Sequence, residues 1–262
     1  MEHIKLGSDI VFTLMGIPFT NSVLAGFLCS LIIIIFAIFI RIGAGIIPTR
    51  RQLAFESLID MLHSNITTAF GNEKRGNVML YIFLTIFLFL LVANQFFVLP
   101  IISQIVVHIK GGGEELIPLF RIPTNDLSLP LVLAAVLILG GHFWAFITHP
   151  FRYLGHFIRI KGFFTMKSLG DFPLVIIEFF LGFMDIIGEA AKVVSLSARL
   201  FGNIFAGEVM YVVLTGLVAF IAPIPIVVLG LLTGLVQAFV FVTLSYQFMG
   251  ATVTSVDKHH HA

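Results

Sequence analysis

Glu178, Asp185, Glu189, Lys192, Leu196, Arg199 and Asn203 follow one another at separations of 7, 4, 3, 4, 3 and 4 residues inside one of the most apolar stretches of the chain. At about 100° per residue these positions share a sector of roughly 80° on one helix, with Phe, Ile, Val and Leu on the other faces. An ionised side chain at the centre of a bilayer costs ~2.5–3.5 kcal/mol or more, so five charges in a row demand water or polar partners. Two chemistries fit. One is an internal ion-pair ladder, Glu189 to Lys192 at i, i+3 and Lys192 to Arg199 at i, i+7. The other is an aqueous half-pathway for ions lined by Glu178, Asp185, Glu189, Lys192 and Ser195. It would stop at Arg199, whose guanidinium no physiological pH discharges. A ladder alone leaves the excess of acids at the N-terminal end unexplained. On the same wheel Glu208 lies about 140° from the centre of the stripe and belongs to another face.

The elements that must carry these residues follow from hydropathy. The 262 residues are 58% hydrophobic and 11% charged, with a mean hydropathy of +1.07. Those values exclude an ordinary soluble domain and imply an all-α integral membrane protein. Residues 20–40, 78–100 and 127–148 are each long enough to cross a ~30 Å hydrocarbon core as a helix. Residues 172–220 hold no proline after Pro173. As one helix they would run roughly 70 Å, more than twice the bilayer, which requires a steep tilt or a bend. Pro223 and Pro225 then interrupt the chain before a last apolar run over 226–250. The expected fold has five or so membrane helices and ends in a long, steeply tilted helical hairpin. Residues 52–71 place apolar side chains at 53, 55, 58, 59, 61, 62 and 66 with charges between them, the pattern of an amphipathic helix on the cytoplasmic face. Residues 151–164 are a candidate for a second. The chain reads as a single membrane domain over 1–262. Within it, 1–76 form an N-terminal span and interfacial helix, 77–171 the middle spans and 172–262 an ion-conducting hairpin.

Charge placement gives an orientation. Arg41, Arg50, Arg51, Lys74 and Arg75 surround the first connection, and Arg152, Arg159, Lys161 and Lys167 the third. In the second, Lys110 and Arg121 are offset by Glu114, Glu115 and Asp126. The positive-inside rule then puts the N-terminus and the second connection outside and the C-terminus in the cytoplasm. Cys29 is the one cysteine, which excludes a disulfide framework and a Cys-rich metal site. No HExxH accompanies His142 and His149, and Gly111-Gly-Gly-Glu-Glu lacks the Gly-Lys-Ser/Thr of a phosphate loop and reads as a turn. No cofactor, metal or nucleic-acid partner is expected, and the terminal His259 to His261 carry no assigned function.

The stretch SLSARLFGNIFAGE, Ser195 to Glu208, closely resembles the signature of subunit a of F-type ATP synthases. Pro123-Thr-Asn-Asp126, Asn94 and Gln237-Ala-Phe-Val-Phe extend the likeness, which covers the whole chain in topology. The resemblance implies a stator subunit of a bacterial plasma membrane, offering two aqueous half-channels to a ring of c subunits and held by peripheral-stalk b subunits. Contact with the nucleotide-handling F1 sector would be indirect. It makes Arg199 the essential arginine between the half-channels and Asn203 and Gln237 its polar neighbours. It sets Glu208 and Asp126 in the outer half-channel, and Lys192 and Ser195 where the inner one is lined. Some relatives carry a histidine before the glutamine of the last helix, whereas the position seven before Gln237 is Gly230. His142 is therefore taken as the further outer group. A self-contained transporter or channel is the alternative; it predicts repeated halves, and no self-similarity is apparent in the sequence.

Overall fold

The computed structural model describes residues 9–43, 49–95, 106–109, 115–150, 153, 172–217 and 223–257. Six α-helices dominate: α1 Asn21–Gly43, α2 Arg50–Phe70, α3 Glu73–Gln95, α4 Ser128–Thr148, α5 Phe172–Leu217 and α6 Pro223–Asp257. All except α2 are long and apolar enough to cross a membrane. The protein is an all-α integral membrane protein with five such helices. Helix α5 has 46 residues and α6 has 35, lengths of about 69 and 52 Å at 1.5 Å per residue. Helix α6 starts at Pro223, where a missing N–H costs nothing because the first donors of a helix have no internal partner.

Helix α6 is the centre of the bundle, packing against α2, α3, α4 and α5. The core that results holds Leu62, Ile66 and Phe70 of α2, Phe83 of α3, Leu200 of α5 and Phe241 of α6. The ring of Phe83 meets that of Tyr246 edge-on, centroids 5.9 Å apart. At Gly250 the α6 backbone comes so close to α2 that an added Cβ would lie 2.6 Å from the carbonyl oxygen of Ala69. Helix α1 stands at the edge, touching α3 through Cys29, which packs with Ala93, small residues that permit close approach. Its remaining faces leave Phe27, Leu31, Ile35, Ile38 and Phe39 exposed, as a lipid-facing helix requires.

Three features depart from the sequence expectations. Helix α2 begins at Arg50, capped by Thr49, whose Oγ1 accepts from the Gln52 N–H at 3.4 Å, and ends at Gly71 in the left-handed region. It is amphipathic as expected, but Leu53 and Met61 are exposed while Leu62, Ile66 and Phe70 enter the bundle core. Its C-terminal half is therefore part of the bundle. Residues 10–20 form a hairpin, β1 Ile10–Leu14 and β2 Ile17–Thr20, where no strand was expected. Positive φ at Met15 (51°) and Gly16 (83°) closes it in two residues, and the paired Phe12 and Phe19 stack at 5.0 Å. A second antiparallel pair, β3 Val106–Ile109 and β4 Glu115–Pro118, lies in the second connection. The Gly111 turn and the terminal histidines lie outside the described residues, as does the candidate helix over 151–164 apart from Tyr153.

Candidate functional site

The polar side chains of the bundle gather into two clusters at its opposite ends, with Arg199 between them along α5. The first cluster is at the end that carries α2. There the Glu189 carboxylate of α5 receives the Lys192 ammonium at 2.6 Å on one oxygen, and His142 Nε2 of α4 lies 3.1 Å from the other. His142 Nδ1 in turn is 3.0 Å from the hydroxyl of Tyr153, whose backbone N–H bonds the carbonyl of His149 just past the end of α4. Lys192 also stands over the ring of Phe248 at 5.4 Å. Burial, and after it the Glu189 charge, push the Tyr153 phenol above its ordinary value, so it remains a neutral hydroxyl able to donate or accept. The imidazole can thus bridge Tyr153 and Glu189 in either protonation state.

The second cluster is at the end where α3 stops and α4 starts. A 3-10 turn, Pro123–Asn125, inserts there with its three residues buried. The Asn125 Nδ2 donates to Glu208 Oε2 of α5. Thr124 Oγ1 donates to Asn94 Oδ1 at 3.0 Å, and Asn94 Nδ2 donates to the carbonyl of Gly234 in α6 at 3.1 Å. A single run of side chains therefore ties α3, α6, the turn and α5 together. Asp126 Oδ1 accepts from the backbone N–H and the hydroxyl of Ser128, at 3.1 and 2.9 Å, an Asx turn leading into α4.

Arg199 differs from both. It lies ten residues beyond Glu189 and nine before Glu208, about 15 and 13 Å at the helical rise. It is exposed and makes no hydrogen bond or ion pair with any described residue. Its face of α5 also exposes Ser195, Ala198 and Ala206, so the guanidinium rises from a low wall of small side chains. Asn203 is half-buried beside it, and Gln237 is buried with its Nε2 unpartnered. No hydrogen bond joins either of them to Arg199 among the described residues. Glu178 is exposed and Asp185 half-buried on the same helix.

Two groupings read from the sequence change. His142, expected beside Glu208, pairs with Glu189 across 47 residues of sequence, because fourteen residues of α4 separate it from the end where Glu208 lies. The Glu208 partner is Asn125, the residue before the Asp126 that the motif singled out. The single polar stripe on α5 also divides: Leu196, Ser197, Leu200 and Ile204 form the packed face. Glu189 reaches α4 from that packed side, whereas Arg199, roughly 60° from Leu196 on the helical wheel, is exposed at its flank. The first rung of the ion-pair ladder, Glu189 to Lys192, forms, and Arg199 is not on it. Asn125, Thr124 and Tyr153 were missed. The first two lay within the quoted Pro123-Thr-Asn-Asp126, whereas nothing in the sequence connects Tyr153 to His142.

Five long apolar helices enclosing ionisable groups define a multi-pass membrane protein with an intramembrane polar site. The chain belongs to the ATP synthase A chain family, whose profile matches residues 23–250. It is 29% identical over 260 residues, 98% of this chain and 82% of the relative, to a protein of Propionigenium modestum named ATP synthase subunit a, sodium ion specific. To ATP synthase subunit a of Gloeobacter violaceus it is 33% identical over 214 residues, covering 82% of this chain and 76% of the relative. To ATP synthase subunit a 2 of a Bradyrhizobium species it is 27% identical over 259 residues, 98% of this chain and all of the relative. This membership supports a place in the membrane-embedded Fo sector of an F-type ATP synthase, working in a complex with the c ring and other subunits.

Proposed function

We propose that this chain carries two aqueous half-channels to the rim of a c ring and that Arg199 keeps them apart. The observation that supports the reading most is the position of Arg199: exposed and unpaired among the described residues, on a face of small side chains, between two internal polar clusters. A cation without a partner among the described residues, at mid-helix in an apolar bundle, needs a counter-charge. A carboxylate on a neighbouring helix supplies it. Each c-subunit carboxylate passing Arg199 is drawn into a charge-assisted pair only when it has given up its ion. It therefore unloads before the arginine and reloads after it, and the fixed positive charge repels any ion taking the direct route.

In this reading the half-channel at the α2 end, on the cytoplasmic side by the distribution of Lys and Arg, is lined by Glu178, Asp185, Glu189, Lys192 and Ser195. His142 joins it through Glu189. The outer half-channel is lined by Glu208 with Asp126. Asn203 and Gln237 orient the guanidinium. Residues 172–262 form the conducting hairpin of a single domain in a bacterial plasma membrane, lying steeply tilted, and the N-terminal part contacts the peripheral-stalk b subunits. Replacing the arginine tests the reading. Arg199→Ala in the intact complex is expected to abolish ATP-driven ion pumping, and Arg199→Lys, which lacks the planar fork, to impair it strongly. Pumping at the unaltered rate in Arg199→Ala would remove the arginine from the mechanism.

A further inference from the structure

The amide of Asn125 is fully buried and used at one end only. Its Nδ2 donates to the Glu208 carboxylate, while its Oδ1 is buried with no hydrogen-bond partner among the described residues. A buried carbonyl oxygen left unpaired is costly, yet the turn that presents it is held firmly. Thr124, also fully buried, is fixed by Asn94, and Asn94 by Gly234. Gly234 permits this close contact, since a Cβ there would stand 3.1 Å from Asn94 Cβ and 3.4 Å from its carbonyl oxygen.

We propose that Asn125 is the positioning residue of Glu208 and follows its protonation by a half-turn of the amide. When Glu208 is ionised the NH2 group faces it, as in the structure. When a proton from the aqueous side forms an O–H bond on Glu208, the amide rotates and its carbonyl oxygen accepts that hydrogen. When the O–H bond breaks, the proton leaves along the pathway and the NH2 group returns. The carboxyl group then keeps one hydrogen bond to the protein in both states, and only the end of the amide turned away from it is left unpaired. An aspartate cannot substitute, because a second carboxylate repels the first, and an apolar residue serves neither state.

This rests on Glu208 lying in the ion pathway, and the test separates the two ideas. Asn125→Leu, which keeps the volume and removes the amide, and Asn125→Gln, which keeps the amide, are made in the whole ATP synthase, each alone and with Glu208→Gln. Complexes are matched for assembly, and ATP-driven pumping is measured in inverted vesicles. Asn125→Leu is expected to slow pumping severalfold, no further than Glu208→Gln itself because it acts through that carboxyl, and Asn125→Gln to recover a substantial part. In the Glu208→Gln background Asn125→Leu should add less than twofold. Gly234→Ala, acting through Asn94, should slow pumping two- to threefold with the same non-additivity. In infrared difference spectra, the carboxyl C=O band that disappears with Glu208→Gln should move to higher frequency in Asn125→Leu. An equal loss in both backgrounds, or an unmoved band, overturns the proposal. Unchanged pumping in Glu208→Gln overturns the pathway role of Glu208 instead, and the band still decides whether Asn125 holds its carboxyl group.

Discussion

The two polar clusters on either side of Arg199 hold a half-buried carboxylate in opposite ways. Glu189 is met by a full positive charge and an imidazole, with Lys192 at 2.6 Å and His142 at 3.1 Å. Glu208 is met by a neutral amide on a turn anchored by Asn94 and Thr124. Protonating Glu189 breaks an ion pair and strands an ammonium in an apolar bundle, which resists the change. With the proposed half-turn of the amide, protonating Glu208 exchanges a charge-assisted hydrogen bond for a neutral one and strands no opposite charge. The difference teaches that a carboxylate in a membrane does not have one role by virtue of being there. The ion-paired one is suited to holding a polar, hydrated passage open, and the amide-held one to changing charge.

That comparison can be broken at several points, and the first two variants below bear on its two halves unequally. The largest effect is expected for Glu189→Gln. It leaves Lys192 and His142 facing a neutral amide, and about 1–3 kcal/mol of folded-state stability should be lost, less than for a fully buried pair because these side chains keep some exposure. Lower complex yield and a pumping rate reduced more than tenfold would bear this out, and normal yield with normal rate would contradict it. Glu208→Gln is expected to leave assembly intact and slow ion flow severalfold without abolishing it, measured as ATP-driven pumping. His142→Gln keeps a donor toward Glu189 but cannot carry a proton. Its expected signature is a pumping rate slowed two- to threefold with assembly unchanged, and an unaltered rate would take His142 out of the pathway. Smallest in function but measurable in stability, Gly250→Val forces side-chain atoms against the Ala69 carbonyl. It should destabilise the α2–α6 contact by about 1–3 kcal/mol, read as a lower melting temperature in detergent.

How much of this was legible beforehand depended on whether a property belongs to one helix or to a pair. The five long apolar helices, the unbroken 46 residues of α5 and the proline break before α6 were readable, because hydropathy, length and proline act along the chain; α6 nevertheless begins at Pro223, ahead of the 226 expected. So was the outward turn of Glu208 relative to the stripe, since helical periodicity fixes angles on a single helix. Which neighbour each side chain meets is set by how helices pack. Hence the pairing of His142 with Glu189, and of Asn125 with Glu208, had no signal in spacing. The β1–β2 hairpin was missed for a local reason: its turn is Met15-Gly16, without the Asn-Gly or Asp-Gly that usually marks such a turn. The arginine itself was conspicuous from the start, because a charge that cannot be neutralised stands out in an apolar run.

The central claim is that Arg199 separates two pathways as well as pairing with a passing carboxylate. Its most direct test is the passive ion conductance of membranes stripped of F1, compared between the unaltered protein and Arg199→Ala at equal Fo content. With the barrier charge gone, the account predicts that ions still leak down an imposed gradient while ATP-driven pumping is absent. A conductance that vanished together with pumping would contradict it, showing that the arginine is needed to conduct and not to keep the two half-channels apart.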